Sequence, residues 1–227
     1  MQRLRAASAS AHPSKNFNRA LFLRPNVARS FGAQYIAAVL ASFLFLASVA
    51  HAQATGPRVF NLDSAQSTIK FTLDTTLHTV EGTFKLKSGQ LSFDPATGKA
   101  SGQIIADATS ADTVNKGRDK KMHQQILESQ KYPEIIFIPQ QVKGSVNPQG
   151  ASQVEVSGIF RIHGQDHGTT LTVYVQPPAG DEIQVSAHFS VPYVQWGIKS
   201  PSTFLLRASD TVEIEVHASG HFVSAHR

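Results

Sequence analysis

The sequence predicts an all-β domain, an antiparallel sandwich or barrel with one short helix. Three observations predict it. Apolar residues recur at every second position from Val59 onward, the spacing of strands with one apolar and one wet face. Clusters of turn-forming residues separate these runs at short intervals, which favours neighbours joined by hairpins. One stretch, residues 114–130, replaces the alternation with helical spacing.

The segment before the first strand is of another kind. Arg3, Arg5, Lys15, Arg19, Arg24, Arg29 and Arg58 all precede the first acid, Asp63. An apolar run from Tyr35 to Ala50, interrupted only by Ser42 and Ser48, ends in Ala50-His51-Ala52. A basic region, a run of this length and small residues at −3 and −1 predict a secretory signal peptide over residues 1–52. The basic stretch is long for such a leader; a transit peptide, a start downstream of Met1 or an uncleaved anchor are the competing readings. The run is short of the ~20 residues of a membrane helix, and no basic stop-transfer flank follows it. The expected product is a periplasmic or secreted protein without a membrane span after signal cleavage.

That leader carries the net charge. The 227 residues sum to +5, but beyond residue 52 there are 15 basic and 16 acidic side chains, a net of −1. No electrostatic footprint for nucleic acid remains. The absence of cysteine excludes disulfides, thiolate metal sites, a cysteine nucleophile and a lipidated cysteine. The expected organisation is a disordered lead-in over residues 53–58, one barrel domain over 59–218 and a frayed tail over 219–227.

The strands follow in order. Ile69, Phe71 and Leu73 share one face, then Val80, Phe84 and Leu86, then Leu91 and Phe93, then Ile104, Ala106 and Ala108. Val154, Val156, Phe160 and Ile162 alternate with polar residues, as do Leu171, Val173 and Val175. Ile183 to Val191 is the clearest case, and Val212, Ile214 and Val216 close the series, with Glu213 and Glu215 pointing the other way. Turns are expected at Lys87-Ser88-Gly89, Asp94 to Gly98, Asn147 to Gly150 and Gln176 to Asp181. In the helical stretch Met122 and Ile126 lie four apart with Leu127 beside them, and Pro133 ends it. One helix in such a chain is placed to plug or lid a barrel end.

No catalytic set emerges, and the chain does not read as an enzyme. A nucleophile elbow, a zinc-protease helix and a phosphate-binding glycine loop are all missing. Ser67 and Lys70 fit Ser-x-x-Lys, yet residues three apart on a strand face opposite ways. Asp181-Glu182 is an acidic pair in a turn, where adjacent side chains diverge. The histidines carry the alternative reading, a metal-binding barrel: His163 and His167 lie across a tight turn and His123 on the helix. Local hydrogen bonding at a hairpin is the plainer account. His217, His221 and His226 are expected in the tail.

The apolar residues carry the main reading. Side chains that do not fill a barrel line a cavity for an apolar ligand. Phe71, Phe84, Phe137, Phe160 and Phe189 fall on inward faces. The expected lining adds Leu86, Ile104, Met122, Ile126, Val185, Trp196 and Phe204. Arg118 and His123, near the helix start, are the expected partners of a polar head group, although Arg118 and Asp119 also suit a surface ion pair.

The order of these pieces resembles the YceI-like family. Asn61 to Leu73 resembles its first hairpin and Val80 to Phe84 its second strand. Arg118-Asp119 before a helix, followed by Lys131-Tyr132-Pro133-Glu134-Ile135-Ile136-Phe137, resembles its central signature. Gly158 to Gly164 resembles a characteristic strand, and Trp196-Gly197-Ile198 stands at a family turn. Many members have Arg-Asp-x-His-Leu where this chain has Arg118-Asp119-Lys120-Lys121-Met122. The resemblance covers residues 59–218. It implies a lipocalin-like antiparallel barrel, exported, that binds a polyisoprenoid, fatty acid or fatty amide for transport or storage. No cofactor is expected beyond such a bound isoprenoid or acyl lipid. The expected partner is a small apolar ligand, and a homodimer is left open.

Overall fold

The computed structural model describes residues 56–147 and 149–223. The leader expected over residues 1–52 lies outside them. Eight strands follow one another: β1 (Arg58–Leu73), β2 (Val80–Phe93), β3 (Ala100–Asp112), β4 (Glu134–Lys143), β5 (Ser152–Ile162), β6 (Gln165–Val175), β7 (Glu182–Val191) and β8 (Val212–Val223). Each is antiparallel to the next, and β8 returns to β1 to close the barrel. Closure gives every strand a partner on both sides, although β6 meets β7 over Val173–Val175 alone.

The alternation sorts inside from outside. Ile69, Phe71 and Leu73 of β1 line the interior with Val80, Phe84 and Leu86 of β2. Lys70, Glu81, Thr83 and Lys85, interleaved with them, are exposed. β4 departs from this pattern, because Ile135-Ile136-Phe137-Ile138 is continuously apolar: Ile135 and Phe137 line the interior while Ile136 and Ile138 are half-buried.

Two expected breaks are bulges inside continuous strands. Lys87-Ser88-Gly89 is no turn; β2 runs through it and its pairing with β3 slips between Leu86 and Ser88. The added residue reverses the parity, so the inward series passes from Leu86 to Leu91. Asn61 to Leu73 is likewise one bent strand and no hairpin, with slips between Asn61 and Ile69. Asp63 holds that bulge: its carboxylate accepts the Ala65 N–H at 2.8 Å and its carbonyl accepts the Ser67 hydroxyl at 2.6 Å. The same bulge separates Ser67 from the exposed Lys70.

The frayed tail expected over residues 219–227 does not begin at Ser219. β8 continues to Val223, paired with Val59, so residues 219–223 are strand. His217 and His221 therefore sit in the barrel wall, and His226 lies outside the described residues. The helical stretch is shorter than expected. α1 (Lys116–Lys121) is capped by Asn115, whose side-chain oxygen accepts the Arg118 N–H at 3.0 Å. A π-helical turn, Met122–Ile126, follows. Glu128 then turns left-handed at φ 45° and ends it ahead of Pro133.

The strand order divides the connections between two ends. Residues 74–79, 113–133, 163–164 and 192–211 lie at one end; residues 94–99, 144–151 and 176–181 lie at the other. The seam between β6 and β7 is thin, with three residue pairs against eleven between β5 and β6.

Candidate functional site

The barrel encloses a cavity of about 920 Å³, near the upper end of the roughly 300–1,000 Å³ typical of ligand sites. Its floor is shut. Phe60, Val154, Val175 and Ile183 pack together there, from strands on opposite sides of the ring. Phe222 meets the Phe60 ring at 5.3 Å. Among the described residues, none from the 94–99, 144–151 or 176–181 connections lines the cavity. Thr75, His78, Thr113, Arg118, Lys121 and Lys199 line it at the other end. The site is therefore an apolar well with a polar mouth.

Ten of the expected lining residues face the well: Phe71, Phe84, Leu86, Ile104, Met122, Ile126, Phe137, Phe160, Val185 and Phe189. Two do not. Phe204 is 99% exposed. Thr203 and Leu206 bond to each other across the loop, by an N–H to carbonyl bond of 2.7 Å. Phe204 and Leu205 thus sit at the loop's tip, and Leu206 turns inward instead. Trp196 stacks on His167 and meets Phe160 at 5.7 Å, so the Phe160 ring stands between it and the well. Phe60, Ile135, Tyr193 and Ile214, outside the expected lining set, also line the well. Strand parity could have supplied Ile214; Tyr193 lies in an irregular turn with no periodic signal. The Tyr193 hydroxyl donates to the Ser209 carbonyl at 2.6 Å, and burial pushes its ionisation above the ordinary phenol range.

The expected head-group residues differ in position. Arg118 lies at the mouth, but it makes no ion pair with Asp119. Both side chains converge on buried Thr113. Arg118 donates from Nε to the Thr113 hydroxyl at 2.8 Å and from Nη2 to its carbonyl at 2.9 Å. The Asp119 carboxylate accepts the Thr113 N–H at 3.0 Å and its hydroxyl proton. His123 does not line the well. Its Nε2 lies 2.9 Å from the Ala111 carbonyl and its Nδ1 2.9 Å from the Ser129 hydroxyl. A carbonyl only accepts, so Nε2 carries a proton. His123 ties the π-helical turn to β3.

The histidines of the metal reading are not gathered. His163 does not flank the turn but forms it with Gly164, at φ 52° and 76°, the positive pair of a two-residue type I′ hairpin. Its ring packs on Tyr132 at 4.4 Å, while His167 packs on Trp196. Among the described residues, no group of three or more His, Cys, Asp or Glu is placed to hold a metal ion. No helix there is long and apolar enough to cross a membrane.

Comparison with known proteins places this architecture. The crystal structure of BcnA from Burkholderia cenocepacia is 21% identical and covers 70% of this chain and 98% of its own, with a TM-score of 0.59. A polyisoprenoid binding domain from Saccharophagus degradans, implicated in plant cell wall breakdown, is 16% identical and covers 71% of this chain and 97% of its own, with a TM-score of 0.55. At these identities the likeness is one of fold. No curated protein sequence matches the chain. The model of the YceI-like domain matches residues 60–219, from the third residue of β1 to Ser219 within β8. By that match, over an eight-strand ring closed on itself, the chain belongs to the YceI-like family.

Proposed function

We propose that this protein is an exported binding protein that holds a polyisoprenoid, fatty acid or fatty amide in its barrel, for transport or storage and without transforming it. The observation that carries this reading is the shape of the well: apolar walls, a shut floor and one polar mouth. An alkyl or prenyl chain fits such a space, and its head stays beside Arg118 and Lys121. The Saccharophagus degradans relative, described as polyisoprenoid-binding, supports the same class of ligand. Each buried CH₂ contributes ~0.8 kcal/mol, so about ten give ~8 kcal/mol before the cost of immobilisation. Once that cost is subtracted, micromolar or weaker affinity is the expected outcome unless the pocket is preorganised.

The test is organic extraction and mass spectrometry of the purified protein, with displacement of a fluorescent fatty probe. Ala106 and Ala187 line the well from β3 and β7. Ala106→Phe with Ala187→Phe narrows it from two walls, and should weaken probe uptake while the circular dichroism of the barrel persists. No extractable lipid together with no probe uptake by the unaltered protein would sink the reading. Export is tested separately: the processed chain should begin at Gln53.

A further inference from the structure

We propose that the mouth of the barrel docks on an anionic phospholipid bilayer, with Leu77, Val114, Phe204 and Leu205 entering the interface. These four are the most exposed large apolar residues of the described chain, at 68%, 96%, 99% and 80%. They come from three separate connections, yet all three connections are at the open end. The connection bearing Leu77 is joined to the one bearing Phe204 and Leu205. Thr76 N–H donates to the Arg207 carbonyl at 2.8 Å, and Thr75 bridges to Ala208. Thr75, Thr113 and Thr203 line the same cavity, so the four tips ring one opening.

Val114 is held outward against its own preference. It has a left-handed backbone, φ 63°, which β-branched residues rarely adopt. The Asp112 carboxylate fixes it there by accepting its N–H at 2.7 Å. Nothing in the fold rewards that strain with burial.

Charge selects the occupant. The connections at the open end carry seven basic side chains against four acidic ones, whereas those at the floor carry Lys99 against Asp94 and Asp181. The described chain as a whole has more acids than bases. A cationic rim around apolar tips matches a bilayer with anionic headgroups, where apolar insertion and charge act together. It also brings the apolar well into line with the acyl chains, so cargo passes between them without crossing water. The docking rests on the apolar-cargo reading for its use but not for its geometry.

The chain contains no cysteine, so a single introduced one reports its own surroundings. Leu205→Cys at the mouth and Val146→Cys at the floor end are each labelled with an environment-sensitive fluorophore in the full chain. They are titrated with phosphatidylcholine vesicles with and without phosphatidylglycerol, the lipids carrying a quencher in the acyl region. The expected result is a blue shift and quenching at Leu205→Cys, strongest with phosphatidylglycerol, and none at Val146→Cys. Lys116→Glu with Lys120→Glu should weaken vesicle binding by roughly tenfold or more. A silent Leu205→Cys label against every vesicle, or an equal response at both positions, overturns the docking and leaves the rim to a protein partner. Probe uptake by the same samples without vesicles keeps the readings apart. Uptake with a silent mouth label overturns docking alone; an inserted label without uptake upholds docking and overturns the cargo reading.

Discussion

The imidazole of His167 lies flat on the indole of Trp196, ring centroids 4.3 Å apart and planes within 5° of parallel. His167 belongs to β6, and Trp196 to the turn that follows β7. Between those strands only Val173–Val175 and Val185–Ala187 pair, so the stack joins the two where their ladder has stopped. Trp196 is thus a wall residue, with Phe160 and Ile162 as its neighbours in the core at that end.

Removing the indole should open this seam first. Trp196→Ala is expected to destabilise the barrel by about 2–3 kcal/mol, below the range for a fully buried ring because Trp196 is half-buried. Trp196→Phe keeps part of the stack and should lose less. Urea unfolding measures the loss. Hydrogen exchange should accelerate at Gln165–Thr172 before it does at β1; uniform acceleration would contradict the seam.

Gly82 is fixed by its neighbours rather than by a turn. A Cβ there would stand 2.3 Å from the Phe71 ring and 2.7 Å from the Asp112 carbonyl. Gly82→Ala should cost about 1–3 kcal/mol by overpacking. Adding Phe71→Leu should recover only part of it, since the carbonyl contact remains. Denaturant midpoints of the single and double variants decide the matter.

The Thr113 node holds α1 at the mouth. Asp119→Ala leaves the Thr113 N–H and the Thr113 hydroxyl proton without an acceptor in a residue only 5% exposed, at an expected cost of about 1–3 kcal/mol. Arg118→Lys should fail to preserve the node, because an ammonium does not span hydroxyl and carbonyl as the guanidinium fork does. Limited proteolysis should then cut within Lys116–Lys121 in both variants and spare that segment in the unaltered protein.

Acid should destabilise the fold in a definite window. The Thr109 hydroxyl holds the Asp107 carboxylate below its ordinary range, the Arg161 fork does so for Asp166, and Thr97 does so for Asp94. Folded values below the unfolded ones favour the ionised, folded form. Their contribution is complete above the ordinary carboxylate range and is lost as pH falls through the folded values. The urea midpoint should therefore fall between about pH 5 and pH 2, modestly because these groups lie at the surface. Asp107→Asn should flatten that slope; an unchanged slope would remove Asp107 from the account.

The fold was legible where burial acts on one face only. Ile183 to Val191 alternates because its outer face is wet, and the structure reads it as written. β4 carries Ile on both faces, so period two vanishes there and only the family motif pointed to it. Lys87-Ser88-Gly89 misled for another reason: it has turn chemistry, but its glycine makes room for the Leu62 side chain, which a Cβ would meet. Most of the well followed from parity, which is local. Phe204 and Trp196 did not, since a loop residue faces whichever way distant partners pull it. The Arg118–Asp119 pair was misread because their shared partner, Thr113, has no sequence signature.

The shut floor has a consequence for kinetics. A tube open at both ends can be loaded from one side and emptied from the other. A vial cannot: whatever enters must leave by the same neck and in the opposite order. With Phe60, Val154, Val175 and Ile183 closing the bottom, loading and unloading are one event run in two directions. Whatever widens or narrows the neck will change both rates together and leave the equilibrium between them untouched.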